Sequence, residues 1–376
     1  MKKKSIIIIV IAALLVLAGA GYWYAKKGRT TKESDKIKVG VILPLTGSGA
    51  IYGDDLKKGI DLAYQESPLK DEIELYYEDD AADVTKGVNA LNNLTFKGVD
   101  IIIGGIMSNV ANGLLPIINN KKILLLSPKA TDVNLSKEND YFFRIWPTDD
   151  KDGKYSASYI VDSLHLGRIA VLYDNSTYGV GINKEFKMNL DKNTTEIVFD
   201  EGYSNGQTNF KTLISKIKAS NPDVLFLPSY YKEAVLILKQ LNEMDCDFYV
   251  AGVSSFFEND IKKAAGKLID KVFFTYPQFS SESLKPETMH FVNSYKQNYT
   301  DREPNAFSAH GYDAFKILEK NILQIKNEEK DINPNNLKVA LEQMPKYYGA
   351  TGDMKFDING DADKELQIIW LKKINL

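Results

Sequence analysis

From Ile37 onward the chain alternates short apolar runs with longer stretches whose apolar positions recur at helical spacing. Ile37–Leu43, Ile73–Tyr77, Asp100–Ile103 and Ile123–Leu126 read as strands. The stretches between them, from about Asp54 to Glu66, Val84 to Phe96 and Asn109 to Asn119, read as helices. Unbroken apolar runs of this length suit strands buried on both faces. Strand and helix in strict alternation predict a parallel sheet built from crossover units. Pro116 falls late in the third helix and predicts a break there. After an extended Tyr141–Trp146, the group Pro147-Thr148-Asp149 interrupts the pattern and a second α/β series begins. Its strands are Arg168–Tyr173, Glu196–Glu201, Asp223–Leu227, about Phe248–Ala251 and Lys271–Tyr276. Its first helix spans about Gly153–Leu164. Long helices then follow over Pro286–Tyr299, Ala306–Ile325 and Asn335–Met344. At the end, Met354–Asp357 and Glu365–Lys372 flank the turn Ile358-Asn359-Gly360-Asp361 and read as a hairpin.

In an open α/β sheet, ligands bind beyond the carboxyl ends of the strands. Two such ends carry polar turns, Gly104–Asn109 and Ser127–Thr131. Ser108 stands where a helix begins, so its hydroxyl and the free N–H groups there can receive an anion. It can equally be a plain N-cap, and Thr131 a plain turn residue. The loop from Pro44 to Gly53 contains Gly47-Ser48-Gly49, but the next glycine comes one residue too late for a dinucleotide fingerprint. It reads instead as a glycine-permitted loop that hangs Tyr52 over the strand ends. Asp79, Asp80 and Asp83 suggest a cation site or, more simply, the capping of the next helix.

Composition narrows the chemistry. A net charge of -3 over 376 residues argues against a nucleic-acid surface. The single cysteine, Cys246, excludes a disulfide within the chain and a multi-cysteine metal site. His165, His290 and His310 are scattered, and neither H-E-x-x-H nor G-x-S-x-G occurs. No catalytic set, metal site or cofactor is expected, so the chain reads as a binding protein and not an enzyme. At the N-terminus, lysines 2–4 precede an apolar run from Ser5 to Ala25, closed by Tyr22, Trp23, Tyr24 and further basic residues. That is a secretory signal or a membrane anchor, with an uncleaved anchor favoured by its length and aromatic end. Either way the remainder is expected outside the cytoplasm.

With these residues placed, the chain resembles the type I periplasmic binding proteins, in particular the leucine/isoleucine/valine-binding branch of the ABC-transporter substrate-binding proteins. The resemblance runs from about Lys36 to Leu376. It rests on segments in register that include VGVILPLTGSGAIYGDD, IIGGIMSNVANGLLPI, LLLSPKATDVNL, FFRIWPTDDKDG, IAVLYDNSTYGVG, PDVLFLPSYYKEAVLILKQ and AFSAHGYDAFKIL. It implies two doubly wound α/β lobes joined by three crossing segments, near 145–148, 276–278 and 348–351. Lobe one would be 36–146 with 278–349, and lobe two 147–277 with 350–376, after a 1–35 anchor and linker.

The resemblance also implies roles. Ser108 and Thr131 match residues that hold an amino-acid carboxylate. Lys129 matches a position acting through its backbone carbonyl, so its side chain is not implicated. Tyr52, Tyr178 and Tyr230 match aromatic positions lining the cleft, and Phe307 one that packs on the ligand side chain. Ser254 stands where amino-acid binders carry an acid for the ammonium, with Glu258 nearby as a substitute of unknown direction. The expected ligand is therefore a small carboxylate, an amino acid of branched-chain type first, captured by hinge closure and delivered to a membrane permease. The alternative is a membrane-tethered sensor domain that signals through a partner protein.

Overall fold

The computed structural model describes residues 36–300 and 302–374. The apolar N-terminal run lies outside them, and among the described residues no helix is long and apolar enough to cross a membrane.

The first half of the pattern folds as its apolar runs dictate. Strands β1 (Ile37–Leu43), β2 (Ile73–Asp79), β3 (Ile101–Gly104), β4 (Leu124–Ser127) and β5 (Phe142–Arg144) form one sheet in the order β2-β1-β3-β4-β5. Every pair in it is parallel. Helices α1 (Ala50–Gln65), α2 (Val84–Phe96) and α3 (Ser108–Lys121) supply the first three crossovers. A second sheet takes β6 (Arg168–Asp174), β7 (Glu196–Tyr203), β8 (Val224–Phe226), β9 (Tyr249–Gly252) and β10 (Val272–Pro277), with a late strand β11 (Leu366–Trp370) on its edge. Its order is β11-β10-β9-β8-β6-β7, parallel throughout except for β10 against β11. Helices α4 (Asp149–Ser158), α5 (Thr177–Met188), α6 (Lys211–Ala219) and α7 (Tyr231–Glu243) belong to this half. The long α8 (Ala306–Asn327) returns to the first half and packs along α1. The molecule is thus two doubly wound α/β lobes, as expected.

Both strand orders reverse direction once, between β1 and β3 in the first sheet and between β6 and β8 in the second. Those reversals are where the loops part and a crevice opens. The segments that follow β1, β3 and β4, including the first turns of α1 and α3, carry Tyr52, Ser108 and Thr131; those that follow β6, β8 and β9, including the first turn of α5, carry Tyr178, Tyr230 and Ser254. Gly104 makes the exit from β3 possible. Its φ is +144°, and a Cβ there would sit 2.0 Å from the Ile42 carbonyl oxygen of β1.

Three local expectations are corrected. The helix holding Pro116 does not break, because Pro116 and Asn112 lie on its exposed face and water can satisfy the carbonyl that loses its partner. Helix α4 begins at Asp149, four residues before the expected Gly153. Its first turn holds Asp149, Asp150 and Asp152, and acids are favoured at that end of the helix dipole. The closing hairpin is not formed as expected. Leu366–Trp370 pairs with β10, where the sheet edge offers a full ladder, while Gly352–Met354 pairs with Tyr347–Gly349. The turn itself is closed by a bridge from Phe356 to Ala362, ahead of the second expected arm.

Candidate functional site

The eight residues singled out above are all buried. Ser108 is the first residue of α3, and its Oγ lies 3.5 Å from the Thr131 hydroxyl, with the N–H groups of Thr131 and Asp132 each 3.4 Å away. Ser127 shapes the turn that presents Thr131. Its hydroxyl donates to the Gly105 carbonyl at 3.2 Å and accepts from the Ala130 N–H at 3.1 Å. Two hydroxyls and free helix N–H groups at one strand-end crevice form a seat suited to an anionic oxygen.

Aromatic rings close around this seat from both lobes. Tyr178 and Tyr230 stack at 4.8 Å on the second lobe. On the first, Tyr52 lies 5.1 Å from Phe307, which stacks on Trp146 at 5.0 Å. Trp146 also meets His310 at 4.4 Å, so that histidine is a packed residue. Burial drives the His310 pKa down, and its Nδ1 lies 2.7 Å from the Ala306 carbonyl oxygen. Ser254 sits in the turn after β9, and its side chain makes no hydrogen bond to the other seven among the described residues.

The lobes touch directly. Tyr52 of the first lobe accepts a 2.9 Å hydrogen bond from the N–H of Tyr231, a free donor at the start of α7. Lys232 reaches the Gly47 carbonyl at 3.3 Å. Arg302, preceding α8, binds Asp55 of α1 through Nε at 2.5 Å and Glu258, after β9, through Nη2 at 2.6 Å. Asn305 also donates to Asp55, at 2.7 Å. Glu258 is thereby committed to Arg302. Burial outweighs the guanidinium and pushes the Glu258 carboxyl up to about 7.

Lys129 departs most from expectation. Its side chain, and not only its backbone, enters the space between the lobes, with Nζ 5.0 Å from the Tyr178 ring centre, 5.5 Å from Tyr52 and 5.9 Å from Trp146. Asp149 and Asp152 of α4 act on it electrostatically. Both are buried acids: Asp152 accepts from the Thr275 hydroxyl and is pushed up to about 6, and Asp149 is raised well above the carboxylate range by burial. Trp146, Asp149, Asp152 and Arg302 were absent from the sequence-based site. The acids were hidden by the late start assigned to α4, and Arg302 by a polar stretch that reads as solvated loop. Asp79 and Asp83 serve the backbone: Asp79 accepts from Leu45 N at 2.8 Å, and Asp83 caps α2 through Lys86 N at 2.9 Å. Among the described residues no group of three or more His, Cys, Asp or Glu is arranged to hold a metal ion.

Comparison with known proteins agrees with this architecture. The family model described as "Periplasmic binding protein" matches residues 36–368. A Leu/Ile/Val-binding protein homolog of Brucella abortus is 27% identical over 331 residues, covering 86% of this chain and 87% of that protein. A leucine-binding protein, LivK, of Thermotoga maritima superposes with a TM-score of 0.83 at 25% identity, over 90% of this chain and 96% of the other. The branched-chain amino acid transporter substrate-binding protein LivJ of Streptococcus pneumoniae, solved with isoleucine, gives 0.80 at 25% identity, over 91% and 98%. The chain accordingly belongs to the periplasmic binding protein family, in its branched-chain amino acid branch, and is a substrate-binding protein of the ABC-transporter kind rather than an enzyme.

Proposed function

We propose that this protein works outside the cytoplasm, closes its two lobes over a small carboxylate ligand, and hands it to a membrane permease. The carrying observation is the buried pair of hydroxyls, Ser108 and Thr131, on one lobe with the stacked Tyr178 and Tyr230 on the other. A carboxylate on that seat would accept from both hydroxyls, and the rings would cover its apolar body. The relatives named for leucine and isoleucine make the branched-chain amino acids the first class to test.

Isothermal titration of the purified chain against leucine, isoleucine and simple aromatic acids tests this. Ser108→Ala with Thr131→Ala removes two hydrogen bonds to a charged group, each worth about 1.5–3 kcal/mol, so affinity should fall at least a hundredfold, roughly. Unchanged binding in the double variant overturns the assignment. Closure itself is tested through Tyr52, whose bond to Tyr231 exists only when the lobes meet. Tyr52→Phe should weaken ligand binding about fivefold, the worth of roughly 1 kcal/mol for one neutral hydrogen bond, with little change in thermal stability. An unaltered affinity would remove that contact from the closing mechanism.

A further inference from the structure

We propose that Lys364 is the pivot on which the two lobes turn, and that the chain makes its third passage between them at Asp363–Glu365 and not at 348–351. The inference rests on the lobe closure proposed above and adds where the bending takes place.

Beyond 348–351 the chain keeps to the first lobe. Gly352–Met354 pairs with Tyr347–Gly349, and the Thr288 hydroxyl donates to the Ala350 carbonyl at 2.9 Å. Asp313 of α8 accepts from the N–H groups of Ala350 and Thr351 at 2.9 and 2.8 Å. Phe356 meets Phe143 of β5 edge-on at 5.3 Å. Arg144, also of β5 and fully buried, clamps Asp361 through Nε at 2.6 Å and Nη2 at 3.0 Å. Its backbone holds the same turn, donating to the Gly360 carbonyl at 3.0 Å and accepting from the Ala362 N–H at 2.9 Å. Leu366 then enters the second sheet beside Pro277. Asp363, Lys364 and Glu365 are left to make the passage, a reach of about 11 Å. A tether that short restricts where the lobes can turn.

Lys364 is bound on both sides of that passage. Its backbone carbonyl accepts from the Lys151 ammonium of α4, in the second lobe. Lys151 also reaches the Asp363 and Glu365 carboxylates, each at 3.5 Å, and the Tyr155 hydroxyl donates to Glu365. The Lys364 side chain runs the other way, into the first lobe. Its Nζ donates to the Thr351 hydroxyl at 2.6 Å and to the carbonyls of Thr351 and Gly352 at 2.9 and 3.3 Å. Those three acceptors use all the donors an ammonium has. The Thr351 hydroxyl passes its own proton to Asp313, which ends the chain in the core of the first lobe. A buried polar network with its members satisfied is rigid. The contacts on the cleft side of the lobes are of another kind. Tyr52 to Tyr231, Lys232 to Gly47 and Arg302 to Glu258 each join one group to one other, and they can part and reform. A polar cavity of about 240 Å³, lined by Gln278, His310, Thr351 and Lys364 among others, lies between this pivot and the crossing at Pro277–Gln278. It leaves those segments room to bend without overlapping. Lys364 is therefore a positioning residue: it fixes the axis along which Tyr178 and Tyr230 are brought over the seat at Ser108 and Thr131.

The test reads the distance between the lobes. Spin labels are attached to cysteines placed at the exposed positions Lys70 and Lys192, one on each lobe, in a chain whose buried Cys246 is changed to alanine. Pulsed electron resonance then gives the distance distribution, without ligand and with leucine, isoleucine or benzoate. The native pivot should give narrow distributions that move as a whole when a ligand closes the lobes. In Lys364→Met, which keeps the length of the side chain and removes its donors, that narrowness should be lost, with and without ligand. Thr351→Val, which keeps the shape of its residue, should broaden the distribution in the same sense, and it carries the test if Lys364→Met does not fold. A role in folding alone would lower stability and leave the distribution of the folded protein as it was. Distributions as narrow as the native one in the folded variants overturn the inference and leave the proposed function standing. Broadening in the variants, with a native distribution that none of the three acids moves, supports the pivot and removes these acids as closing ligands.

Discussion

Arg302→Met should destabilise the protein by about 3 kcal/mol at pH 8, and by clearly less at pH 5. The guanidinium joins Asp55 and Glu258, whose side chains are 1% and 8% exposed, while its own is 27% exposed. Removing one partner from such a cluster leaves buried carboxylates uncompensated, and that, more than the lost attraction, sets the cost. The exposure of Arg302 places the expected value at the low end of the range for buried pairs. The pH dependence follows from Glu258. Its carboxyl is raised to about 7 in the folded state, so its contribution is fully present below the ordinary carboxylate pKa and is lost as pH rises through about 7. Without Arg302 both carboxyls lose a neighbouring cation and shift further up, so the need for a counterion, that of Glu258 above all, fades as pH falls. Asp55 and Arg302 belong to one lobe and Glu258 to the other, so the variant should also bind ligand more weakly, by favouring the open form. Urea denaturation at the two pH values, with calorimetric titration beside it, measures both effects. A variant as stable at pH 8 as the native chain would remove Arg302 from any bridging role.

Arg302 also marks where sequence reasoning stops. Parallel strands were legible because runs such as Ile101–Gly104 and Leu124–Ser127 are apolar on both faces, and a strand end is where a ligand-contacting turn must fall. Ser108 and Thr131 stand just beyond strand ends, so a local pattern suffices to single them out, whereas Tyr178 and Tyr230 were named from the family resemblance. Arg302 follows no strand, and its partners lie 247 and 44 residues away. Nothing local distinguishes it from the charged residues around it. The direction of the Lys129 side chain was hidden for a different reason. It depends on the second lobe and the first crossing segment supplying Tyr178 and Trp146 to meet it. The fate of Leu366–Trp370 was likewise decided by a competing partner, the open edge of β10, which the nearby turn could not match. Asp149 and Asp152 needed only a correct helix start, and three acids among the four residues after Thr148 carried that signal.

The tightest constraint on the site lies well behind it, where α1 crosses α8. A Cβ at Gly59 would stand 1.9 Å from the Ser308 carbonyl oxygen and 2.7 Å from the Tyr312 nitrogen; one at Gly311 would stand 2.2 Å from the Leu56 oxygen. These are backbone atoms and cannot turn aside as a side chain can. Glycine to alanine inside a helix ordinarily stabilises by about 1 kcal/mol. At Gly59 the sign should reverse, with Gly59→Ala costing about 3 kcal/mol or more as the two helices are forced apart. The loss should appear as a lower urea midpoint with an unchanged slope, since the unfolded state exposes the same surface. Function should suffer with it, because the start of α1 carries Tyr52 and the start of α8 carries Phe307, whose rings meet at 5.1 Å. Gly311→Ala should act in the same way. The pair should cost less than the sum of the two, since one separation of the helices relieves both clashes. Fully additive losses, or a Gly59→Ala protein as stable as the native one, would show that the crossing adapts without moving the helices, and that Tyr52 and Phe307 are held by the cleft rather than by the helices behind it.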